Sequence, residues 1–164
     1  MEKQTQFHTI APVYDKDSRI LILGSFPSVK SREAAFFYGH PQNRFWRVLA
    51  AVLEEETPQT VEEKRSVLLR RGVALWDVIA SCEIAGSSDA SITNVVPNDL
   101  SRILATAPVR RIFCNGGTAH RFYRRYDEAR FGPAQPLPST SPANARRSAD
   151  ELTGVWRAAL APWL

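Results

Sequence analysis

The sequence predicts an α/β domain built on a mainly parallel sheet. Three observations carry that expectation: short aliphatic runs closed by small or polar residues, stretches of helical period between them, and capping or breaking residues at the joins. Arg19 to Gly24 is a continuous apolar run ending in glycine, the pattern of a strand buried on both faces. From Gln42 to Glu54, residues Phe45, Trp46, Val48, Leu49, Val52 and Leu53 recur at helical spacing, and Thr57-Pro58 stops the helix. A second helix over Val61 to Arg71 ends at Gly72, and Val73 to Ile79 reads as another buried strand. Asn98-Asp99 caps a helix carrying Leu100, Ile103 and Leu104. Arg111 to Asn115 is a third strand, Gly116-Gly117-Thr118 turns into a helix through Tyr126, a short strand lies near Leu137, and a last helix runs from about Ser148 to Leu160. In such a fold the ligand site lies outside the carboxyl ends of the strands.

A chain of 164 residues with 44% hydrophobic content supports one core, so residues 1–164 are read as a single domain. Charged residues make up 23%, and no apolar run approaches the roughly 18 residues of a membrane span. Met1 to Thr9 carries no apolar core segment or Arg/Ser-rich pattern of a targeting peptide, which leads to the expectation of a cytoplasmic, nucleoid-associated protein without membrane contact. Cys82 and Cys114 stand 32 positions apart, too few and too far for a metal cluster, and read as buried thiols. No cofactor and no metal are expected. The formal charge of +4 hides an asymmetry: residues 1–100 hold 11 basic against 13 acidic side chains, whereas residues 101–164 hold 10 against 4. Seventeen of the basic residues are arginines, the side chain suited to bidentate phosphate contact, so a polyanionic partner fits the composition.

Four loops follow strands and are rich in small or polar residues: Gly24-Ser25-Phe26-Pro27-Ser28, Asp77 onward, Asn115-Gly116-Gly117-Thr118, and Ser139-Thr140-Ser141-Pro142-Ala143-Asn144. A helix opening after such a loop offers backbone N–H groups and a positive dipole end to phosphate, which makes Ser25, Ser28, Gly116, Gly117 and Thr118 candidate phosphate contacts. The same Gly116-Gly117-Thr118 segment also reads as an ordinary capped turn. Neither a Gly-Lys-Ser/Thr phosphate loop nor the dinucleotide glycine fingerprint is present, and no Gly-x-Ser-x-Gly elbow appears, which excludes the corresponding nucleotide-binding and hydrolase classes.

The densest signal is Phe36-Phe37-Tyr38-Gly39-His40-Pro41-Gln42-Asn43-Arg44-Phe45-Trp46. Phe45 and Trp46 fall on the apolar stripe of their helix and are expected in the core. Tyr38 either stacks on a planar base or packs inward. Asn43 either caps the helix or turns its amide into the cleft to hold water and a base edge.

Gly24-Ser25-Phe26-Pro27-Ser28, His40-Pro41-Gln42-Asn43-Arg44-Phe45-Trp46 and Ser141-Pro142-Ala143-Asn144 together resemble the successive motifs of the uracil-DNA glycosylase superfamily, over residues 7–160. The His-Pro-x-Asn-Arg-Phe-Trp string is shared with the mismatch-specific uracil branch. The first and last motifs are closer to the hypoxanthine (deoxyinosine) DNA glycosylase branch. The resemblance implies a three-layer α/β/α sandwich around a short, mainly parallel four-stranded sheet. It further implies a monomeric, monofunctional glycosylase acting on DNA that contains a deaminated base, with hypoxanthine favoured. A mismatch-specific uracil enzyme and a non-catalytic nucleic-acid binding relative stay open as alternatives.

The same resemblance assigns roles residue by residue. The usual water-orienting acid or amide of the first motif is replaced by Phe26, so the catalytic role passes to Asn43 of the second segment, as in the hypoxanthine branch. Ser141 stands where a His or Asn often contacts the leaving base. Tyr38 and Phe26 are candidates for stacking on the extruded base, and Asp77 aligns with a reader of the base edge, a role that competes with that of a turn cap. His40 either bonds the base or a phosphate, or packs within its own turn. Ser139, Thr140, Ser141, Asn144 and Arg146 are candidate contacts to the DNA backbone, and Ala145 stands where some relatives place a bulkier wedge. No lysine lies in any strand-end loop, which argues against lyase chemistry.

Overall fold

The computed structural model describes residues 2–164. Strands β2 (Ile20–Gly24), β3 (Val73–Asp77), β6 (Arg111–Asn115) and β7 (Gln135–Leu137) form a parallel sheet in the order β3-β2-β6-β7. Every residue of β2 and β3 is buried, which is why both read as unbroken apolar runs. Between β2 and β3 come helices α1 (Val29–Ala34), α2 (Phe45–Leu53) and α3 (Val61–Arg70). Between β6 and β7 come α5 (Gly117–Tyr126) and α6 (Glu128–Phe131). The two crossovers leave the centre of the sheet in opposite directions, so right-handed connections place α2 and α3 on one face and α5 on the other. The last helix, α7 (Ala149–Leu160), returns to pack on α2, where Trp156 meets Phe45 edge to face at 5.9 Å. The three layers expected from the sequence are therefore present, with all four strands parallel.

Local chemistry explains the helix ends. Ser148 and Glu151 form a reciprocal capping box at the start of α7, and the Thr60 hydroxyl caps α3. Cys82 and Cys114 are both buried and free, and burial pushes the Cys114 thiol up to about 12. No helix among the described residues is long and apolar enough to cross a membrane.

One reading of the sequence is corrected. The run Val73 to Ile79 is not a single strand: β3 ends at Asp77, and after Val78 the chain enters β4 (Ile79–Ile84), the central strand of a separate three-stranded antiparallel sheet. The partners β1 (Gln4–Phe7) and β5 (Thr93–Pro97) are mostly exposed, β1 being polar but for Phe7 and β5 carrying only the pair Val95-Val96 before its proline. They offer no long apolar run, and only pairing to β4 makes them strands. The short helix α1 falls within a segment whose apolar content is too small for a periodic signal, whereas the helix expected after Asn98-Asp99 is present as the single turn α4 (Ser101–Leu104), with Leu100 rather than Asn98 or Asp99 at its N-cap position.

Asp127, at the junction of α5 and α6, is 4% exposed and has one carboxylate oxygen without a partner. Burial raises its carboxyl to about 6. A carboxyl protonated more readily when folded stabilises the fold below its unfolded pKa of about 4, and that contribution is lost as pH rises through 6. Asp127→Asn is therefore expected to match the wild type in urea midpoint near pH 4.5 and to exceed it above pH 7, by roughly 1–3 kcal/mol. Parallel denaturation series across that range check it, and a gap independent of pH would refute it.

Candidate active site

In this sheet the connections diverge between β2 and β6, and the crevice at their carboxyl ends is the topological switch point. All four loops singled out in the sequence meet there. Gly24 closes β2 directly beside Asp77 at the end of β3. A Cβ on Gly24 would lie 2.3 Å from Asp77 Oδ1 and 3.0 Å from the Tyr38 hydroxyl, so glycine is what lets these two groups approach the strand end.

The Asp77 carboxylate, 4% exposed, is held from behind. The Ile10 N–H donates to His8 Nδ1 at 3.3 Å, which fixes the imidazole proton on Nε2. That Nε2–H donates to Asp77 Oδ2 at 2.8 Å, between side chains 2% and 5% exposed. No described side chain donates to Oδ1, which faces Gly24 and Tyr38. Asp77 is thus a pinned acceptor rather than a turn cap. Its partner His8, in the exposed N-terminal arm, carried no signal in the sequence.

Asn43 is oriented by a chain that crosses the crevice. Asn115 Nδ2, at the end of β6, donates to the Thr140 hydroxyl at 2.9 Å, and Thr140 donates to Asn43 Oδ1 at 2.9 Å. Asn115 Oδ1 accepts from the Thr140 N–H at 3.1 Å, and Asn43 Oδ1 accepts a second bond from the Phe45 N–H at 2.9 Å. Asn43 Oδ1 is thus bound one residue ahead of the α2 N-cap position, Arg44, and its Nδ2 is left as the free end. With both oxygen lone pairs engaged, the side chain meets a ligand as a donor.

The aromatic candidates are less free than a stacking platform requires. Tyr38, at φ 53°, lies over Phe45 with centroids 4.0 Å apart. Its hydroxyl is buried without a well-formed hydrogen bond, between Asp77 and the Asn115 amide, and burial raises its pKa. Phe26 is 8% exposed, edge to face with His8 at 6.0 Å and under the Arg32 guanidinium at 5.5 Å. Each ring has one face taken already. His40 Nδ1 accepts from the Gln42 N–H at 3.1 Å, so the ring packs in its own turn and keeps only Nε2 for a ligand.

Several expected DNA contacts are internal to the loops. Thr140 is fully buried and has no surface for DNA. Ser28 caps α1 through Ser31, Ser139 accepts from the Ser141 N–H, Ser141 accepts from the Ala143 N–H, and Asn144 donates to the Ser139 carbonyl. The sequence overlooked Arg44, whose guanidinium reaches the carbonyls of Arg147 at 2.6 Å, Ser141 at 3.0 Å and Asn144 at 2.8 Å, and so shapes the whole last loop. Arg146 and Ala145 are exposed on that loop. Gly116, at φ 95°, packs on Ser139, and Gly117 is exposed at the start of α5. Asp89, from the turn between β4 and β5, also went unread: it accepts from the Ser25 hydroxyl at 3.2 Å, and desolvation raises its carboxyl against the lowering bonds of Ser25 and Thr118.

The chain is thus a doubly wound α/β/α domain whose switch-point crevice presents a pinned carboxylate acceptor, an amide donor and glycine-lined loops, the class of fold that meets its ligand at the carboxyl ends of the strands. Comparison with known proteins gives the family. The chain belongs to the uracil DNA glycosylase superfamily, whose family model matches residues 11–160. It is 33% identical to the hypoxanthine DNA glycosylase of Methanosarcina acetivorans over 147 residues, covering 89% of this chain and 92% of that protein. It is 32% identical to the hypoxanthine DNA glycosylase of Methanosarcina barkeri, covering 88% and 92%. The solution NMR structure of a candidate uracil DNA glycosylase from Methanosarcina acetivorans superposes with TM-score 0.78 at 32% identity, covering 94% of this chain and 98% of that one.

Thr140→Val keeps shape and removes the hydroxyl that Asn43 and Asn115 share. It is expected to lower the single-turnover rate of base excision at least about tenfold while the fold persists by circular dichroism. Full activity would detach the chain from catalysis. Gly24→Ala is expected to be more damaging, because the new methyl group displaces Asp77 and Tyr38 together; a variant with unchanged activity and melting would refute the close approach.

Proposed function

We propose that this protein is a monofunctional DNA glycosylase of base excision repair that extrudes a deaminated base, hypoxanthine foremost, and hydrolyses its N-glycosidic bond. The convergence of Asn43 and Asp77 on the strand-end crevice carries this reading, and the kinship to proteins named hypoxanthine DNA glycosylase supports it.

The extruded base enters beside Tyr38 with its edge toward Asp77. An ionised carboxylate only accepts, so Oδ1 takes the N1–H of hypoxanthine, while the His8 bond to Oδ2 keeps the group from rotating away. The C1′–N bond breaks with its electron pair leaving on the base, a water forms the new C1′–O bond, and the proton that this water sheds goes to the departing base anion, so that the neutral base and an abasic hydroxyl result. Asn43 is no base. Its Nδ2 holds that water by donating to one lone pair and leaves the other for the sugar cation, so positioning supplies the rate. Ser141 and His40 Nε2 lie on the loops nearest the departing base, and Ser25, Gly117 and Arg146 border the path of the backbone. The protein works as a monomer without a cofactor, on DNA in the cell's nucleoid.

The N3–H of uracil offers the same donor to Asp77, which keeps mismatched uracil as the second substrate. The test is single-turnover incubation with duplexes carrying one deoxyinosine or one deoxyuridine opposite T, C or G, followed by hot alkali. Strand scission only after alkali, with deoxyinosine preferred, is the expected result. Asn43→Ala is expected to lower excision at least about tenfold, or above about 1.4 kcal/mol, with duplex binding retained. Asp77→Asn is expected to alter the preference between the two bases. No excision by the wild type on either duplex would sink the proposal.

A further inference from the structure

Beyond the crevice, the outer face of α5 forms a basic groove of about 410 Å³ lined by Gly117, His120, Arg121, Arg124, Arg125 and Glu128. Gly117, His120, Arg121, Arg124 and Arg125 recur at three- and four-residue steps on one stripe of α5, and Glu128 closes the groove from the first residue of α6. The stripe begins at the crevice: Gly117 follows the β6 loop, Gly116 rests on Ser139, and Arg121 lies close enough to Asp89 to act on its carboxyl. The arginines are held rather than loose. Arg121 lies over the Phe122 ring at 4.8 Å and Arg125 over the Tyr126 ring at 5.4 Å, and those two rings stack on one another at 6.3 Å. Among the described residues only Arg124 of the three has a carboxylate within 4 Å, that of Glu128 at 3.8 Å. The remaining positive charge faces solvent.

We propose that this groove binds the DNA backbone flanking the extruded nucleotide, so that the strand leaves the crevice along α5 and the duplex bends around that edge of the protein. The inference rests on the DNA glycosylase reading and adds a second contact surface to it. Charge and reach support it. Gly117 to Arg125 spans about 12 Å at 1.5 Å per residue, the axial rise of three to four nucleotides of one strand. Guanidinium groups laid over aromatic rings lose little freedom when they meet phosphate oxygens. An acidic protein segment would meet the same charge, but the direct continuity with the crevice favours the nucleic acid bound there.

The test is the triple variant Arg121→Gln, Arg124→Gln, Arg125→Gln, with the triple lysine variant and Arg110→Gln as companions. Arg110 is exposed next to the opposite, N-terminal end of β6. Binding is measured on deoxyinosine duplexes of about 10 and about 25 base pairs across a salt series, and bending by end-to-end fluorescence transfer. The glutamine variant is expected to bind the longer duplex about tenfold or more weakly, to lower the slope of log K against log salt by about 2–3, and to lose the bend. Excision lost at low enzyme is recovered at high enzyme. Lysine is expected to restore the salt slope, and Arg110→Gln to change nothing. An unchanged slope in a glutamine variant that melts like the wild type would overturn the proposal while leaving the glycosylase reading intact, and so would tight capture of a poly-glutamate peptide with DNA affinity unaffected. If the triple variant does not fold, Arg125→Gln alone is expected to lower the slope by about 1, and no change there overturns the proposal. Failure of the wild type to excise any base, with its salt slope still set by α5, would separate the fate of the glycosylase reading from that of this surface.

Discussion

The Thr140 hydroxyl, fully buried between two strand-end loops and the turn before α2, is the interaction on which the crevice depends. It accepts from Asn115 and donates to Asn43, so one oxygen sets the orientation of two amides, one at the end of β6 and one in the turn before α2. An amide bound this way loses its freedom to flip, and its free end is fixed before a ligand arrives. Chemistry driven by positioning needs that order, because a neutral carboxamide has no proton affinity with which to compensate for a misplaced water.

Around this chain the same physical rule recurs: each group that faces the crevice is held by a partner behind it. His8 pins Asp77, and Arg44 draws three carbonyls of the last loop together. Gly24 omits the side chain that would separate Asp77 from Tyr38. These supports come from distant parts of the chain. The side chains of Ser139, Ser141 and Asn144, expected to contact the DNA backbone, turn out to build the loops.

The central sheet and most of the helices were legible because their signals are local. β2 and β6 are unbroken or nearly unbroken apolar runs, α2 has a clean apolar stripe, and Ser148 with Glu151 spells out its cap. The antiparallel sheet was not legible, since β1 and β5 are short, exposed strands without a long apolar run, and β4 merged with β3 across the single residue Val78. Within the site, Asn43 and Asp77 could be named from motif and strand-end position. Their partners His8, Thr140 and Asn115 could not be assigned, because a hydrogen bond across 25 or 69 residues leaves no trace in spacing.

By itself the sequence determined the alternation of elements, the parallel core, the place of the crevice and the arginine-rich character of the last third, all of which follow from periodicity, turn residues and charge. Tertiary structure decided which polar groups face the ligand and which hold the loops. Asn43 was left with its donor end free, Thr140 was buried rather than offered to DNA, and the α5 arginines were aligned with the crevice. The reason is physical: burial and hydrogen-bond partnership are properties of neighbours in space, and most of these neighbours are far apart along the chain.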